Sequence, residues 1–457
     1  MLILTFYFID ISSGISQDKS KDAFFIKSIY NQALSESSCY QWLEHLSNTI
    51  GGRLSGSKAA EIAVDYCAEI MDTLSLTSVR KQACTVPHWE RGKKEVVKII
   101  NSSKGDVELH ALALGNSVAS PISGITAEVI ELNHLDDLEK LGEDAIKGKI
   151  VFFNRPMDPK QFRTFNAYGG AVDQRVYGPS RAARFGAVAC LVRSMTTRLD
   201  KVPHTGVTVY DEEYPKIPGL AISTMDAEML SNLLEKEQVS VYLEAHCKKN
   251  PDANSHNVIG EIKGSTFPDE IILVGGHLDS WDVGGGAHDD GAGCVHAMEV
   301  LNIFKQLGYK PQRTIRCVLF MNEENGLGGA LEYAKVSNLN NEFHVAAIES
   351  DAGGFTPRGF AADGDEKIFA ERYKKVTSWL PLLEPYGLSF STGGSGADIS
   401  PLKGQLGMLF GFRPDSQRYF DYHHTAIDNI EAVNQRELEL GAAAITSLVY
   451  LIDKYGL

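Results

Sequence analysis

Ile271-Ile272-Leu273-Val274-Gly275-Gly276-His277-Leu278-Asp279-Ser280 is the stretch that decides the fold. An uninterrupted apolar run closed by paired glycines predicts a strand whose two faces are both covered, as helices cover a parallel sheet. The residues that follow keep the same rhythm. Val295 to Leu307 has helical periodicity, Thr314 to Phe320 is a strand run, Gly328 to Val336 is helical, and Val345 to Ile348 is again a strand. Strands alternating with helices define an α/β class: a mostly parallel sheet flanked by helices. Ligands in such sheets gather at the carboxyl ends of the strands, so the polar residues that end these runs are where chemistry is expected.

Those ends are rich in imidazole and carboxylate. The first leads to His277 and Asp279, and a glycine-rich loop then carries His288-Asp289-Asp290. The next strand ends in Asn322-Glu323-Glu324, the one after it in Glu349-Ser350-Asp351, and His423-His424 precedes the last helix. Taken singly, each cluster is ordinary: Asp-Asp-Gly is a turn signal, and Glu-Glu after a strand is usually a solvated loop. Five of them in order at strand ends or loops point to one metal site. Zinc takes imidazole nitrogen and carboxylate oxygen, and a zinc pair needs a carboxylate that bridges it. A further carboxylate must stay free to accept a proton from water. Consecutive residues leaving a strand point in different directions, so Glu323-Glu324 can supply one base and one ligand. Asp279 is placed to accept the second imidazole N–H of His277 and fix its tautomer.

The rest of the chain is 457 residues of ordinary globular composition, 43% hydrophobic and 23% charged. That length predicts more than one core. The formal charge of −15 argues against a nucleic-acid or anionic-membrane surface. Residues 1–16 read as a signal peptide, with an apolar run from Leu2 to Ile9 and small residues up to Ser16; no other stretch is long and apolar enough to span a membrane. Seven cysteines without a C-x-x-C pair exclude a cysteine zinc knuckle and leave any disulfide pairing open. Asn101-Ser102-Ser103 is a glycosylation acceptor if the chain enters the secretory route. Residues 21–108 open with helical spacing (Tyr40, Trp42, Leu43, Leu46) and belong with residues 251–457. Residues 109–250 carry short strands (Ala127 to Leu132, Ile150 to Phe153, Ala187 to Val192, Leu220 to Ser223) and no catalytic cluster, so they read as an inserted module that ends in a polar linker at Lys248 to Asp252.

Several phrases spread over the chain resemble the co-catalytic zinc exopeptidase family, which includes secreted aminopeptidases and glutamate carboxypeptidase II. They are Gly52-Arg53-Leu54-Ser55-Gly56-Ser57-Lys58, Pro87-His88-Trp89-Glu90-Arg91-Gly92, Gly124 to Val129, Gly276 to Gly284, and Glu349 to Gly353. The resemblance implies a zinc exopeptidase fold with an inserted protease-associated-like domain, β-rich and α/β. It implies two zinc ions per chain, one held by His277 and Asp351, the other by Glu324 and His424, with Asp289 between them. Glu323 is then the catalytic base, and the Asp289-Asp290 bond is expected to be cis. His424 is chosen over His423 by the family's His-Ser/Thr-x-x-Asp/Glu pattern, which fits Thr425 and Asp428; Asn429 departs from the usual Thr. Gly396, in Gly394 to Asp398, is expected near substrate, and His423 near the oxyanion. The resemblance further implies a peptide substrate with free termini, a homodimer, and a secreted or lysosomal glycoprotein. Two other readings stand beside it: a single-zinc glutaminyl cyclase, and a non-enzymatic receptor-like ectodomain.

Overall fold

The computed structural model describes the backbone of residues 11–457 and side chains from Ser20 onward. Residues 1–10 of the expected signal peptide lie outside the described residues. Among these, two eight-stranded sheets are present. The larger has the order Ser78–Glu90, Lys248–Ile262, Arg313–Phe320, Phe267–His277, Phe343–Glu349, Met408–Pro414, Pro357–Gly364, Ser389–Thr392. Its four central strands are mutually parallel, as the sequence predicts, and antiparallel strands flank them.

Side-chain alternation covers both faces. Ile272 and Val274 point into one core with helices Lys58–Thr73, Ala292–Gln306 and Gln435–Tyr455, whereas Leu273 joins Val318, Phe320 and helix Gly328–Leu339 on the other side. Helix starts are marked by short polar caps. Ser57 Oγ accepts the Ala60 N–H at 3.1 Å, and Asn434 Oδ1 accepts that of Glu437 at 3.1 Å.

The expected polar linker at Lys248 to Asp252 is instead the start of the long strand Lys248–Ile262, which pairs antiparallel with Ser78–Glu90 from Glu90↔Lys248 to Ser78↔Glu261. This ribbon projects from the sheet edge, where polar side chains stay solvated, so its polarity gives no strand signal; Pro251 sits where the register shifts opposite Val86 and His88. The boundary expected at residue 109 also moves. Val96–Ser102 and Gly105–Glu108 belong to the second sheet, because Val97 and Ile99 pair with Leu243 and Val241 of Ser240–Glu244 and are buried with them.

Each face of the second sheet shares a core with loop, helix or edge-strand residues of the larger-sheet layer. Ile150 and Phe152 share a core with Leu54, Trp89 and Trp281, and Val151 and Phe153 share one with Phe355, Tyr419 and Phe420. All seven cysteines are buried and unpaired. Among the described residues no helix is long and apolar enough to cross a membrane.

Candidate active site

His277 is the last residue of its strand, and its N–H donates to Asp290 Oδ2 at 3.1 Å. Its Nδ1–H donates to the carbonyl oxygen of Asp279 at 2.9 Å. That leaves the Nε2 lone pair facing Asp289 Oδ1 at 3.3 Å and Asp351 Oδ1 at 3.6 Å. The tautomer is thus fixed by the Asp279 backbone, not by its carboxylate as expected from sequence. The carboxylate lies 3.7 Å from Nδ1 and accepts the backbone N–H groups of Asn322 at 2.8 Å, Glu323 at 2.9 Å and Glu324 at 3.4 Å. Asn322 turns the chain at φ 77°, and successive N–H groups in such a turn form a cradle for an anion. Asp279 therefore positions the Glu323-Glu324 pair. Asp279→Asn is expected to lower kcat/KM about 10- to 100-fold; an unchanged value on a peptide substrate would count against this role.

Glu324 Oε1 accepts the Trp281 N–H at 3.1 Å, which aims Oε2 at His424 Nε2, 3.2 Å away. The same His424 nitrogen is 3.3 Å from Asp289 Oδ2. Asp289 therefore stands between the two groups, one carboxylate oxygen facing each. Its N–H and that of His288 both donate to Asp428, at 3.0 and 2.8 Å, and the Asp289-Asp290 bond is cis. Asn429, where the expected pattern has Thr, accepts the Gly285 N–H at 2.8 Å and so holds the same loop.

His424 has φ 61° and is contacted by the second-sheet layer. Thr205 donates its N–H to the His424 carbonyl at 3.0 Å, and its own carbonyl lies 3.3 Å from His424 Nδ1. Arg175 Nη1 is 3.4 Å from that nitrogen, and His204 Nδ1 donates to the His423 carbonyl at 2.9 Å. A Cβ on Gly206 would fall 2.4 Å from Arg175 Nη1 and 2.7 Å from His424 Nδ1, so only glycine fits there. The sequence reading gives residues 109–250 no part in the site. That reading fails because these contacts join residues more than two hundred positions apart. His423 stacks on His424 with ring centroids 3.5 Å apart, and its Nε2 is 3.7 Å from Asp289 Oδ2.

Arg53 is the other residue whose part is not readable from sequence. It is 0% exposed, and its guanidinium donates to the carbonyls of Leu278 at 2.6 Å, Gly285 at 2.7 Å and Gly286 at 3.0 Å. The only sequence signal is the Gly52 to Lys58 phrase that contains it. Glu349 and Asp398 form a second buried carboxyl pair. Glu349 accepts the Ile399 N–H at 2.9 Å, while both Asp398 oxygens and Glu349 Oε1 have no hydrogen-bond partner. Gly396 lies so close that a Cβ there would sit 2.2 Å from the Glu349 carboxyl carbon.

The site carries a surplus of buried and half-buried carboxyl groups. Asp289, Glu323, Glu324 and Asp351 outnumber the imidazoles of His277, His423 and His424. Burial pushes Glu323 well above the usual carboxylate range, and Asp351, Glu324 and Asp289 push it further against the opposing pull of His277. Burial likewise takes Glu324 up to about 7. Asp289 Oδ2 is buried with no hydrogen-bond partner. Buried charge of this kind is stable when it coordinates a metal. The 3.2–3.6 Å spacings between imidazole nitrogen and carboxylate oxygen match the ~3.4 Å expected between two atoms bound tetrahedrally to one zinc. His277, Asp289 and Asp351 form one candidate metal cluster, and Asp289 with His423 and His424 another. His424, nearer than His423 to Asp289 and paired with Glu324, is the better placed ligand of the two.

An α/β sheet whose strand ends collect imidazoles and carboxylates around one buried carboxylate has the donor set of a metal-dependent hydrolase. Residues 257–449 match the model of peptidase family M28. Carboxypeptidase Q of Bos taurus is 35% identical over 429 residues, covering 93% of this chain and 86% of its own. The peptidase M28 precursor from Shewanella amazonensis SB2B has a TM-score of 0.89 at 33% identity, covering 95% of this chain and 97% of that one. A zinc aminopeptidase from Bacillus subtilis shares the fold, with a TM-score of 0.63 at 22% identity over 90% of this chain and 94% of its own. The chain belongs to peptidase family M28. It is a metallo-exopeptidase, which sets aside the receptor-like reading.

Proposed function

We propose that the chain is a two-zinc exopeptidase that hydrolyses dipeptides or short peptides with free termini; the name carboxypeptidase Q of its relatives supports the exopeptidase part of this reading. The observation that carries this reading is Asp289, a buried carboxylate with one oxygen toward His277 and the other toward His424. His277 and Asp351 are then one ligand pair, Glu324 and His424 the other, and Asp289 serves both. The chemistry a zinc pair supplies when bound is acidification of a water and polarisation of the scissile carbonyl. Glu323, set beside Glu324 by the Asp279 cradle, takes the proton of the attacking water and returns it to the leaving amine. His423, kept neutral by burial and by the neighbouring His424, offers an N–H to the carbonyl oxygen. Residues of the second sheet act as an inserted unit that orients His424 through Thr205. The enzyme works as a homodimer in the secretory route, its lysosomal lumen or outside the cell. Asn101 is exposed near the end of strand Val96–Ser102, just before the hairpin turn, where a glycan has room.

Metal analysis tests the count. The zinc-loaded enzyme is expected to hold two ions per chain and to hydrolyse unblocked dipeptides faster than blocked ones, with activity lost on chelation and restored by zinc. One ion per chain would overturn the two-zinc reading and leave Asp289 a ligand of a single ion. Hydrolysis that survives chelation would contradict the metal mechanism.

A further inference from the structure

The phrase Pro87-His88-Trp89-Glu90-Arg91-Gly92 contributes no member to the metal clusters. It lies where the chain crosses from the larger sheet to the second, between strands Ser78–Glu90 and Val96–Ser102; the chain returns between Ser240–Glu244 and Lys248–Ile262. The two crossings touch. Gly92 has φ 84°, and a Cβ there would fall 2.5 Å from the His246 carbonyl oxygen, so the outgoing chain needs glycine. Trp89 Nε1 donates to the Ser117 carbonyl at 2.8 Å, which ties the phrase to the second-sheet side.

Arg91, buried at this junction, bonds both layers. Toward the metal-site loop its Nε and Nη2 donate to the two carboxylate oxygens of Asp282 at 2.9 and 2.6 Å. Toward the second sheet Nη1 donates to the Ala113 carbonyl and to Glu95 Oε1 at 3.3 Å, and Nη2 lies 3.4 Å from Thr205 Oγ1. A planar fork holds such partners in one fixed geometry, which the single ammonium of a lysine cannot do.

Both arms lead to the same pair of proposed ligands. Asp282 follows Trp281, whose N–H donates to Glu324 Oε1 at 3.1 Å. Trp281 is packed so tightly that a Cβ on Gly115 would sit 1.8 Å from its ring. On the other arm, Thr205 donates its hydroxyl to the Ala113 carbonyl at 2.8 Å and its N–H to the His424 carbonyl at 3.0 Å. His277 takes its bonds from Asp279 and Asp290 instead. A buried ion pair alone is weak evidence for more than a staple between layers. What sets Arg91 apart is that it leads to Glu324 and His424 together.

We infer that Arg91 is a positioning residue for the metal position formed by Glu324 and His424. Its pair with Asp282 fixes the Trp281 N–H that aims Glu324, while its bonds beside Thr205 keep His424 in register with that carboxylate. The inference rests on the two-zinc reading and goes beyond it by giving the sheet junction control over one ion and not the other.

The test is competitive zinc titration of the metal-stripped full chain against a chromophoric chelator. The chains compared are the parent, Arg91→Gln, Asp282→Asn, their double variant, and His424→Ala, which marks the binding step that belongs to His424. Arg91→Gln is expected to weaken that step by about 10- to 100-fold, as loss of a partner that orients a ligand does, and the other step by less than about threefold. Asp282→Asn should give the same selective loss, and the double variant no more than the worse single one, since both remove one interaction. Asp282 reaches solvent, so its variant carries the test should Arg91→Gln not fold. Weakening of both steps alike, weakening of neither, or additive losses in the double variant would overturn the inference. A parent that binds a single ion sinks the two-zinc reading instead. The positioning role then stands if that ion is lost in His424→Ala and weakened in Arg91→Gln, and falls as well if Arg91→Gln leaves it unchanged.

Discussion

Glu323→Gln is expected to keep its metal and lower kcat by about 100- to 10,000-fold, the range for removing a general base. Glutamine has the same shape, so the Glu323 N–H stays on Asp279 and Glu324 stays on Trp281 and His424. What is lost is the ability to accept a proton. In the structure Glu323 is the carboxylate of the pair with no hydrogen-bond partner for its side chain, whereas Glu324 has both oxygens engaged. One residue of the dipeptide is free to move protons and the other is tied down. Measuring kcat on an unblocked dipeptide together with metal content separates the roles. Metal retained with kcat within about tenfold of the parent would mean that another group is the base.

Arg53→Leu is expected to be the most damaging single change to stability. Leucine leaves the carbonyls of Leu278, Gly285 and Gly286 buried without a donor. At about 1–3 kcal/mol for each unsatisfied group, the total is roughly 3–9 kcal/mol before any local relaxation. These carbonyls belong to the loop that delivers Asp289, so lost metal should accompany the lost stability. Arg53→Lys keeps the charge but cannot reach three acceptors in one plane, and should fall between. Thermal unfolding and metal content are the measurements. A variant that melts within about 2 °C of the parent and holds its metal would show that water replaces the guanidinium.

Much of this was legible before the structure. The strand runs ending at His277, Glu324 and Asp351 were readable because a parallel sheet sends functional groups to one edge, and apolar strands are conspicuous. Contacts set by backbone atoms were not. No residue type announces that Asp279 will bind three N–H groups instead of an imidazole, or that Arg53 will serve carbonyls rather than an acid. The edge ribbon of Lys248–Ile262 was hidden for a different reason. It buries little of its outer half, so hydropathy carries no period there. Thr205 and Arg175 were beyond reach because their chemistry depends on how one sheet lies against the other.

The clasp that Thr205 makes on His424 has a reciprocal side. A carbonyl that helps orient an imidazole for an ion is itself held by that imidazole, and linkage requires the same free energy in both directions. Any ion that His424 holds better with Thr205 in place therefore tightens the seam between the two sheets by an equal amount. The metal centre is in this sense a rivet: filling it fastens the architecture, and loosening the seam anywhere along its length is felt as affinity.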